Sequence, residues 1–296
     1  MKVEDVKKVG VIGAGTIGTT IAATMAVKYG TVVKEATKGL ADKGMKGIIN
    51  CFPTLVRRSV ITEVEKEISI SRISMTTDFE PFKDCQLVVE AVPDDLKLKT
   101  EVLSELNKVC PPSTVLTTTS SLMSITALAA GCGRPDRMIG THFNNPAHLM
   151  ALVEVAPALQ TSDETINFTM EFLSKGLGKT AIKCKDRPGF IVNYLFFPYL
   201  VSAIKAYDAG LATIEEIDTA IKLGLGHPMG PFELLDMFGL DAIPNSFGGM
   251  YDQLKDERFA PPPLVMKMIE AGHWGRKTRQ GFYKYDEKGK KIGPSM

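Results

Sequence analysis

Over its first 185 residues the chain alternates short β-branched or apolar runs with helix-length stretches, and few architectures accommodate that alternation. Strand-like runs fall at Lys8–Ile12, Thr31–Lys34, Gln86–Val92, Thr114–Thr118, Arg137–Thr141, Leu152–Val155 and Thr180–Cys184. Several, such as Leu87-Val88-Val89, are apolar on consecutive positions, the pattern of a strand covered on both faces. Between them lie helical patterns that include Thr16–Tyr29, Leu40–Thr62, Leu96–Cys110 and Asp163–Gly176. Strand and helix in turn predict an α/β fold with a doubly wound, largely parallel sheet. After Asp186-Arg187-Pro188-Gly189 the pattern changes. Residues 190–271 read as consecutive helices, broken by Gly-His-Pro-Met-Gly-Pro (226–231) and Ala-Pro-Pro-Pro (260–263). Two domains are therefore expected, 1–185 and 186–296, the second all-helical.

Charge and cysteine usage narrow the partners. With 35 Lys and Arg against 34 Asp and Glu, the formal net charge is +1, which offers no electrostatic footprint for nucleic acid or an anionic membrane. A small molecule met in a local site is the expected partner. The first eight residues lack the apolar core of a secretory signal and carry acids that an import peptide avoids. Phe190–Ile204, the most apolar stretch, is too short to span a membrane and contains Asn193 and Pro198. The cysteines (Cys51, Cys85, Cys110, Cys132 and Cys184) are 34, 25, 22 and 52 residues apart, without metal-ligand or redox spacing. Reduced thiols in a cytoplasmic or organelle-matrix protein, and no metal, are expected.

Gly13-Ala14-Gly15-Thr16-Ile17-Gly18 fits G-x-G-x-x-G in the right context, between an apolar strand and an amphipathic helix. Gly13 permits the tight turn, Gly15 lets a pyrophosphate approach the backbone, and Gly18 allows close helix–strand packing. The helix N-terminus, at Thr16 and Ile17, directs free N–H groups at the phosphates. The next strand ends at Glu35, 22 residues after Gly13, where an acid accepts ribose hydroxyls and repels a 2′-phosphate, so NAD is the expected cofactor.

Thr141-His142-Phe143-Asn144-Asn145-Pro146 ends one apolar run, and Ala151-Leu152-Val153-Glu154-Val155 follows after a short turn. If these strands run antiparallel, His142 and Glu154 can lie opposite each other. An acid buried among Leu and Val needs a partner, and a carboxylate on one imidazole nitrogen prepares the other to take a hydroxyl proton. Oxidation of an alcohol by NAD needs that combination. Ser121 follows the strand Thr114–Thr118, on the ligand-binding side of such sheets; equally, Ser120, Ser121 or Ser124 can cap the helix beginning at Ile125. Asn193, an amide among large apolar residues, implies a directed hydrogen bond to substrate or to a neighbouring helix end. His148 reads as a surface or rim residue.

These motifs together resemble the NAD-dependent (S)-3-hydroxyacyl-CoA dehydrogenases, over essentially the whole chain. The likeness is carried by Gly13–Gly18, Val88-Val89-Glu90-Ala91-Val92, Ser120-Ser121-Leu122, 140–146 and Leu152-Val153-Glu154. It continues in Asp186-Arg187-Pro188-Gly189-Phe190-Ile191-Val192-Asn193, His227-Pro228-Met229-Gly230-Pro231 and Gly281-Phe282-Tyr283. The resemblance implies a Rossmann-type first domain and a helical second domain that dimerises and closes over an acyl chain. It implies that His142 is the general base, that Glu154 is its electrostatic partner, and that Ser121 and Asn193 hydrogen-bond the substrate oxygen or its catalytic neighbours. Cofactor contacts are implied for Asp94, Lys99, Asn145 and Ser121, besides Glu35 and the glycine loop. Arg58 is implied near the CoA phosphates, although it reads equally as a solvated charge beside Arg57.

Three positions depart from the family's usual pattern: Glu35 for Asp, Thr119 for Asn, and Asn144 for an aromatic. Glu35 keeps the charge on a side chain one methylene longer, so ribose binding is expected to survive, whereas Thr119 and Asn144 bear on turnover and chain length more than on reaction type. The expected reaction is reversible oxidation of an (S)-3-hydroxyacyl-CoA to the 3-ketoacyl-CoA. A dehydrogenase of non-CoA hydroxy or sugar acids, and a catalytically silent NAD-binding protein, are the alternative readings.

Overall fold

The computed structural model describes residues 1–295, and the chain forms two compact units, Met1–Phe190 and Ile191–Met296. The first unit is built on an eight-stranded sheet of order β3-β2-β1-β4-β5-β6-β7-β8. Its strands are β1 (Lys8–Ile12), β2 (Gly30–Lys34), β3 (Ile73–Thr76), β4 (Leu87–Glu90), β5 (Val115–Thr118), β6 (Met138–Phe143), β7 (Leu152–Pro157) and β8 (Thr180–Lys183). From β3 across to β6 every pairing is parallel; β6 and β7 are antiparallel, and β7 pairs parallel with β8. Because β1 lies between β2 and β4, the strand order reverses there, and ligands of such sheets bind at the carboxyl ends beside that point.

The helices of this unit are α1 (Thr16–Ala26), α2 (Lys38–Ile49), α3 (Phe52–Arg57), α4 (Glu63–Ser71), α5 (Leu96–Val109), α6 (Ile125–Gly131) and α7 (Asp163–Glu171). Val9 and Val11 pack with Ile21, Met25 and Phe52 on one face of the sheet. Val88 and Leu116 pack with Phe82, Leu103 and Leu106 on the other. This double cover explains the consecutive apolar positions of β4 and β5. It also sets their worth, since truncating a fully buried leucine such as Leu103 to alanine costs about 2–5 kcal/mol.

The long helical stretch expected over Leu40–Thr62 is in fact two helices. It breaks at Asn50 and Cys51, and Pro53, which lacks an N–H, starts α3 where none is needed. Thr62 then opens α4 through a capping box with Glu65.

The second unit contains α8 (Val192–Asp208), α9 (Ile214–Leu225), α10 (Pro231–Phe238), α11 (Gly249–Leu254) and α12 (Pro263–Glu270). It is helical but not all-helical: β9 (Tyr283–Tyr285) and β10 (Lys291–Pro294) form an antiparallel hairpin. Two buried carboxylates hold that hairpin to the helices. Asp236 accepts from the Phe282 and Tyr283 N–H groups, both at 2.8 Å, and from the Tyr285 hydroxyl at 3.0 Å. Asp218 accepts from the Phe232 and Glu233 N–H groups at the start of α10 and from the Tyr283 hydroxyl at 2.9 Å. A Cβ on Gly281 would stand 2.0 Å from Asp236 Oδ1, which accounts for glycine in Gly281-Phe282-Tyr283. Among the described residues no helix is long and apolar enough to cross a membrane.

Candidate active site

The turn from β1 into α1 has a different reason for each of its three glycines. Gly13 has φ of 91°, and a Cβ there would lie 2.8 Å from the Ala91 carbonyl oxygen. A Cβ on Gly18 would lie 1.9 Å from the Gly13 carbonyl oxygen, so the helix can seat on the turn only with glycine. Gly15 is the exception: a Cβ there would meet nothing within 4 Å. Packing inside the protein does not require that glycine; in G-x-G-x-x-G turns generally, the second glycine serves close approach of a diphosphate. Gly15 is also the N-cap of α1 and supplies no side-chain cap to the first turn, which begins at Thr16 and Ile17. These residues fit NAD. Glu35, just beyond β2, accepts from the Ala14 N–H in the loop and from the Ala36 N–H at 3.3 Å. Neighbouring Lys34 places its ammonium 4.6 Å from the centre of the Phe79 ring.

Beneath the switch point lies an ion pair that reasoning from sequence did not assign. Glu90 ends β4 and Lys99 lies in α5, and both are 0% exposed. Lys99 Nζ donates to the two Glu90 oxygens at 2.8 and 3.0 Å and to the Val92 carbonyl at 2.9 Å. Glu90 also accepts from the Val92 N–H and the Thr118 hydroxyl, each at 2.7 Å. Burial drives its carboxyl above the usual range, and Lys99 opposes that shift. So Lys99, for which the motif match implies a cofactor contact, turns its ammonium inward. Asp94 is half-exposed, 3.3 Å from that ammonium. The available signal was an acid closing a strand buried on both faces, where an uncompensated charge is untenable.

Strands β6 and β7 pair so that His142 stands directly opposite Glu154. Glu154 Oε2 lies 2.7 Å from His142 Nδ1, and the carboxylate is 1% exposed. An ionised carboxylate only accepts, so Nδ1 carries the proton and Nε2 is left as the basic nitrogen. Among the loops around this pair, the helix cap is settled: Ser124 caps α6, accepting from the Ala127 N–H. Ser121 is half-buried in the loop after β5, and its carbonyl accepts from the Gly189 N–H at 2.7 Å. Asn145 is exposed and precedes a cis peptide to Pro146. Asn144 Nδ2 and His148 Nδ1 are buried without a hydrogen-bond partner among the described residues. His148 is half-buried; burial, then the charges of Lys179 and Arg58, hold its pKa below the ordinary value. Arg58, exposed at the end of α3, is thereby placed in electrostatic reach of the loop that follows His142. Asn193 belongs to the second unit, in the first turn of α8. Among the described residues no three His, Cys, Asp or Glu side chains cluster as a metal site.

Residues 8–187 match the model of the 3-hydroxyacyl-CoA dehydrogenase NAD-binding domain, and residues 189–285 match that of the 3-hydroxyacyl-CoA dehydrogenase C-terminal domain. The chain belongs to the 3-hydroxyacyl-CoA dehydrogenase family. Its glycine turn is thus part of an NAD-binding domain, and it is an NAD-dependent oxidoreductase of this family with a Rossmann-type first unit. A 3-hydroxybutyryl-CoA dehydrogenase from Mycobacterium tuberculosis is 39% identical over 282 residues, covering 95% of this chain and 99% of that protein. The mitochondrial hydroxyacyl-coenzyme A dehydrogenase of Sus scrofa is 40% identical over 288 residues, covering 95% and 91%. Among solved structures, the (S)-3-hydroxybutyryl-CoA dehydrogenase from Ralstonia eutropha superposes with a TM-score of 0.88 at 37% identity, covering 96% of this chain and all of that one.

Proposed function

We propose that this 3-hydroxyacyl-CoA dehydrogenase family member reversibly oxidises (S)-3-hydroxyacyl-CoA esters to 3-ketoacyl-CoA, with His142 as general base. The observation that carries the reading is the His142–Glu154 pair, 2.7 Å apart across the β6–β7 ladder. NAD, when bound, supplies the hydride acceptor. His142 Nε2 takes the proton of the substrate hydroxyl, and Glu154, dry at 1% exposure, stabilises the imidazolium that forms. In the reverse direction the same nitrogen returns the proton to the keto oxygen. Gly13, Gly15, Thr16, Ile17, Gly18 and Glu35 hold the cofactor in this reading, with Asp94, Asn145 and Ser121 beside it. Hydrogen bonds from Ser121 and Asn193 to the substrate, and a CoA-phosphate contact from Arg58, belong to the same proposal and rest on the motif match.

The relatives named for 3-hydroxybutyryl-CoA support a short-chain ester as substrate. A homodimer and a cytoplasmic setting complete the proposal; the five unpaired cysteines suit a reducing compartment. The test mixes protein, acetoacetyl-CoA and NADH and follows NADH absorbance. Consumption is expected, and it should be lost in His142→Gln while NADH still binds. A folded wild-type protein that consumes no NADH refutes the activity. Turnover of free 3-hydroxy acids in place of their CoA esters would transfer the reading to a non-CoA substrate.

A further inference from the structure

The segment Asp186-Arg187-Pro188-Gly189-Phe190 closes the first unit, and the reaction as described gives it no part. Its backbone turns through two successive residues in the left-handed region, Gly189 at φ of 80° and Phe190 at φ of 48°. Glycine adopts that conformation freely, whereas a residue with a large side chain is strained there. A second glycine would make the same turn without strain, so the phenyl ring must contribute something the turn itself does not need.

The ring packs obliquely against the His142 imidazole, with centroids 5.6 Å apart and planes at 53°, and Phe190 is 6% exposed. His142 is therefore held at two points, and the restraints differ in kind. The Glu154 hydrogen bond is a directional restraint on Nδ1 alone, which leaves small tilts of the imidazole resisted only by the bending of that bond. A ring packed against the imidazole resists those tilts by contact and so narrows where Nε2 points. The same segment also secures the loop that carries Ser121. The Asp186 carboxylate accepts from the Ser124 hydroxyl at 3.2 Å and from the Ile125 and Thr126 N–H groups at 2.9 and 2.8 Å. Gly189 N–H donates to the Ser121 carbonyl at 2.7 Å, and Phe190 N–H to the Arg187 carbonyl at 3.1 Å.

We propose that residues 186–190 are a positioning strap in which Phe190 orients His142 while Asp186 and Gly189 hold the Ser121 loop. The proposal rests on His142 being the base. The competing role for Phe190 is packing alone, since it also joins the cluster of Ile12, Met138 and Ala156. Packing alone would alter stability and leave the rate per folded molecule untouched.

Phe190→Leu keeps apolar bulk and removes the flat ring; Phe190→Met does the same with a more adaptable chain. Each is compared with wild type for NADH affinity by fluorescence and for the single-turnover rate of NADH oxidation by saturating acetoacetyl-CoA. Unchanged NADH affinity with a rate about three- to tenfold lower is expected, the range that an aromatic contact of this kind commands. A wild-type rate in the folded variants overturns the proposal. So does a rate loss matched by an equal loss of NADH affinity, and so does failure of both variants to fold, which would assign Phe190 to packing. His142→Gln, run alongside, separates the two readings. If it reacts at the wild-type rate, the base assignment fails; if it is inert while Phe190→Leu is fully active, only the strap fails.

Discussion

Lys99→Met takes from a dry carboxylate the one cation paired with it among the described residues. The lost ammonium lies 2.8 and 3.0 Å from the Glu90 oxygens and 2.9 Å from the Val92 carbonyl. Glu90 keeps two donors, the Thr118 hydroxyl and the Val92 N–H, each at 2.7 Å, but it has no countercharge. Breaking a buried pair from one side costs about 3–5 kcal/mol, and the surviving hydrogen bonds place this case near the lower end. The double variant Glu90→Gln/Lys99→Met buries no charge and should recover most of the loss.

The deficit should also depend on pH. Burial already raises the Glu90 carboxyl, and removing Lys99 raises it further. A carboxyl raised on folding favours the fold below its unfolded value and loses that contribution as pH climbs through the folded value. Lys99→Met should therefore be least handicapped in mild acid and most handicapped at neutral pH and above. Calorimetry at both pH values measures this. A single variant as stable as wild type at neutral pH, or a double variant worse than either single one, would refute the reasoning. The Val92 carbonyl also loses its donor, and neighbouring Ala91 backs onto Gly13, so weaker NADH binding should accompany the loss.

The glycine turn separates ligand binding from folding. Gly15→Ala should leave the melting temperature unchanged, because its methyl meets nothing in the protein, yet weaken NADH binding roughly tenfold or more if the diphosphate lies there as proposed. Gly18→Ala, with a Cβ 1.9 Å from a backbone oxygen, should instead cost about 3 kcal/mol in denaturant unfolding. Glu154→Gln retains an acceptor for Nδ1–H but not the charge, so turnover should fall about 100-fold or more with NADH binding intact. Gly281→Ala should destabilise by about 2–3 kcal/mol, read from the thermal midpoint, since its methyl collides with the Asp236 carboxylate.

What the sequence discloses of this molecule follows burial. Strands β1, β4 and β5 are covered on both faces and carry consecutive apolar or β-branched positions, whereas edge strand β3 is half-exposed and reads Ile-Ser-Met-Thr, apolar only on alternate positions. The His142–Glu154 pairing was legible because a single acid in a Leu/Val strand needs a partner and the intervening turn is short. The same logic applied to Glu90 would have demanded a cation. Lys99 reads from the sequence as an outward cation, implied to meet the cofactor, because a lysine on an amphipathic helix is ordinarily solvated, and only the packing of α5 against β4 turns it inward. The choice among Ser120, Ser121 and Ser124 as helix cap depended on one turn of backbone, which no periodicity encodes. The hairpin β9–β10 was missed because strands of three and four residues carry little pattern, and long-range bonds to Asp236 and Asp218 hold β9.

Those bonds also govern when the second unit can be completed during synthesis. Asp236 waits for an N–H donor 46 residues further along, and Asp218 waits for a hydroxyl 65 residues further along. While residues 282–285 are still inside the ribosome, Asp236 lacks all three of its donors and Asp218 lacks one of three, so burying the two carboxylates is costly. A nascent chain interrupted before Phe282 would present the same unfinished interior to proteases and chaperones. Strand β9 is therefore the piece of chain that completes the burial of both carboxylates.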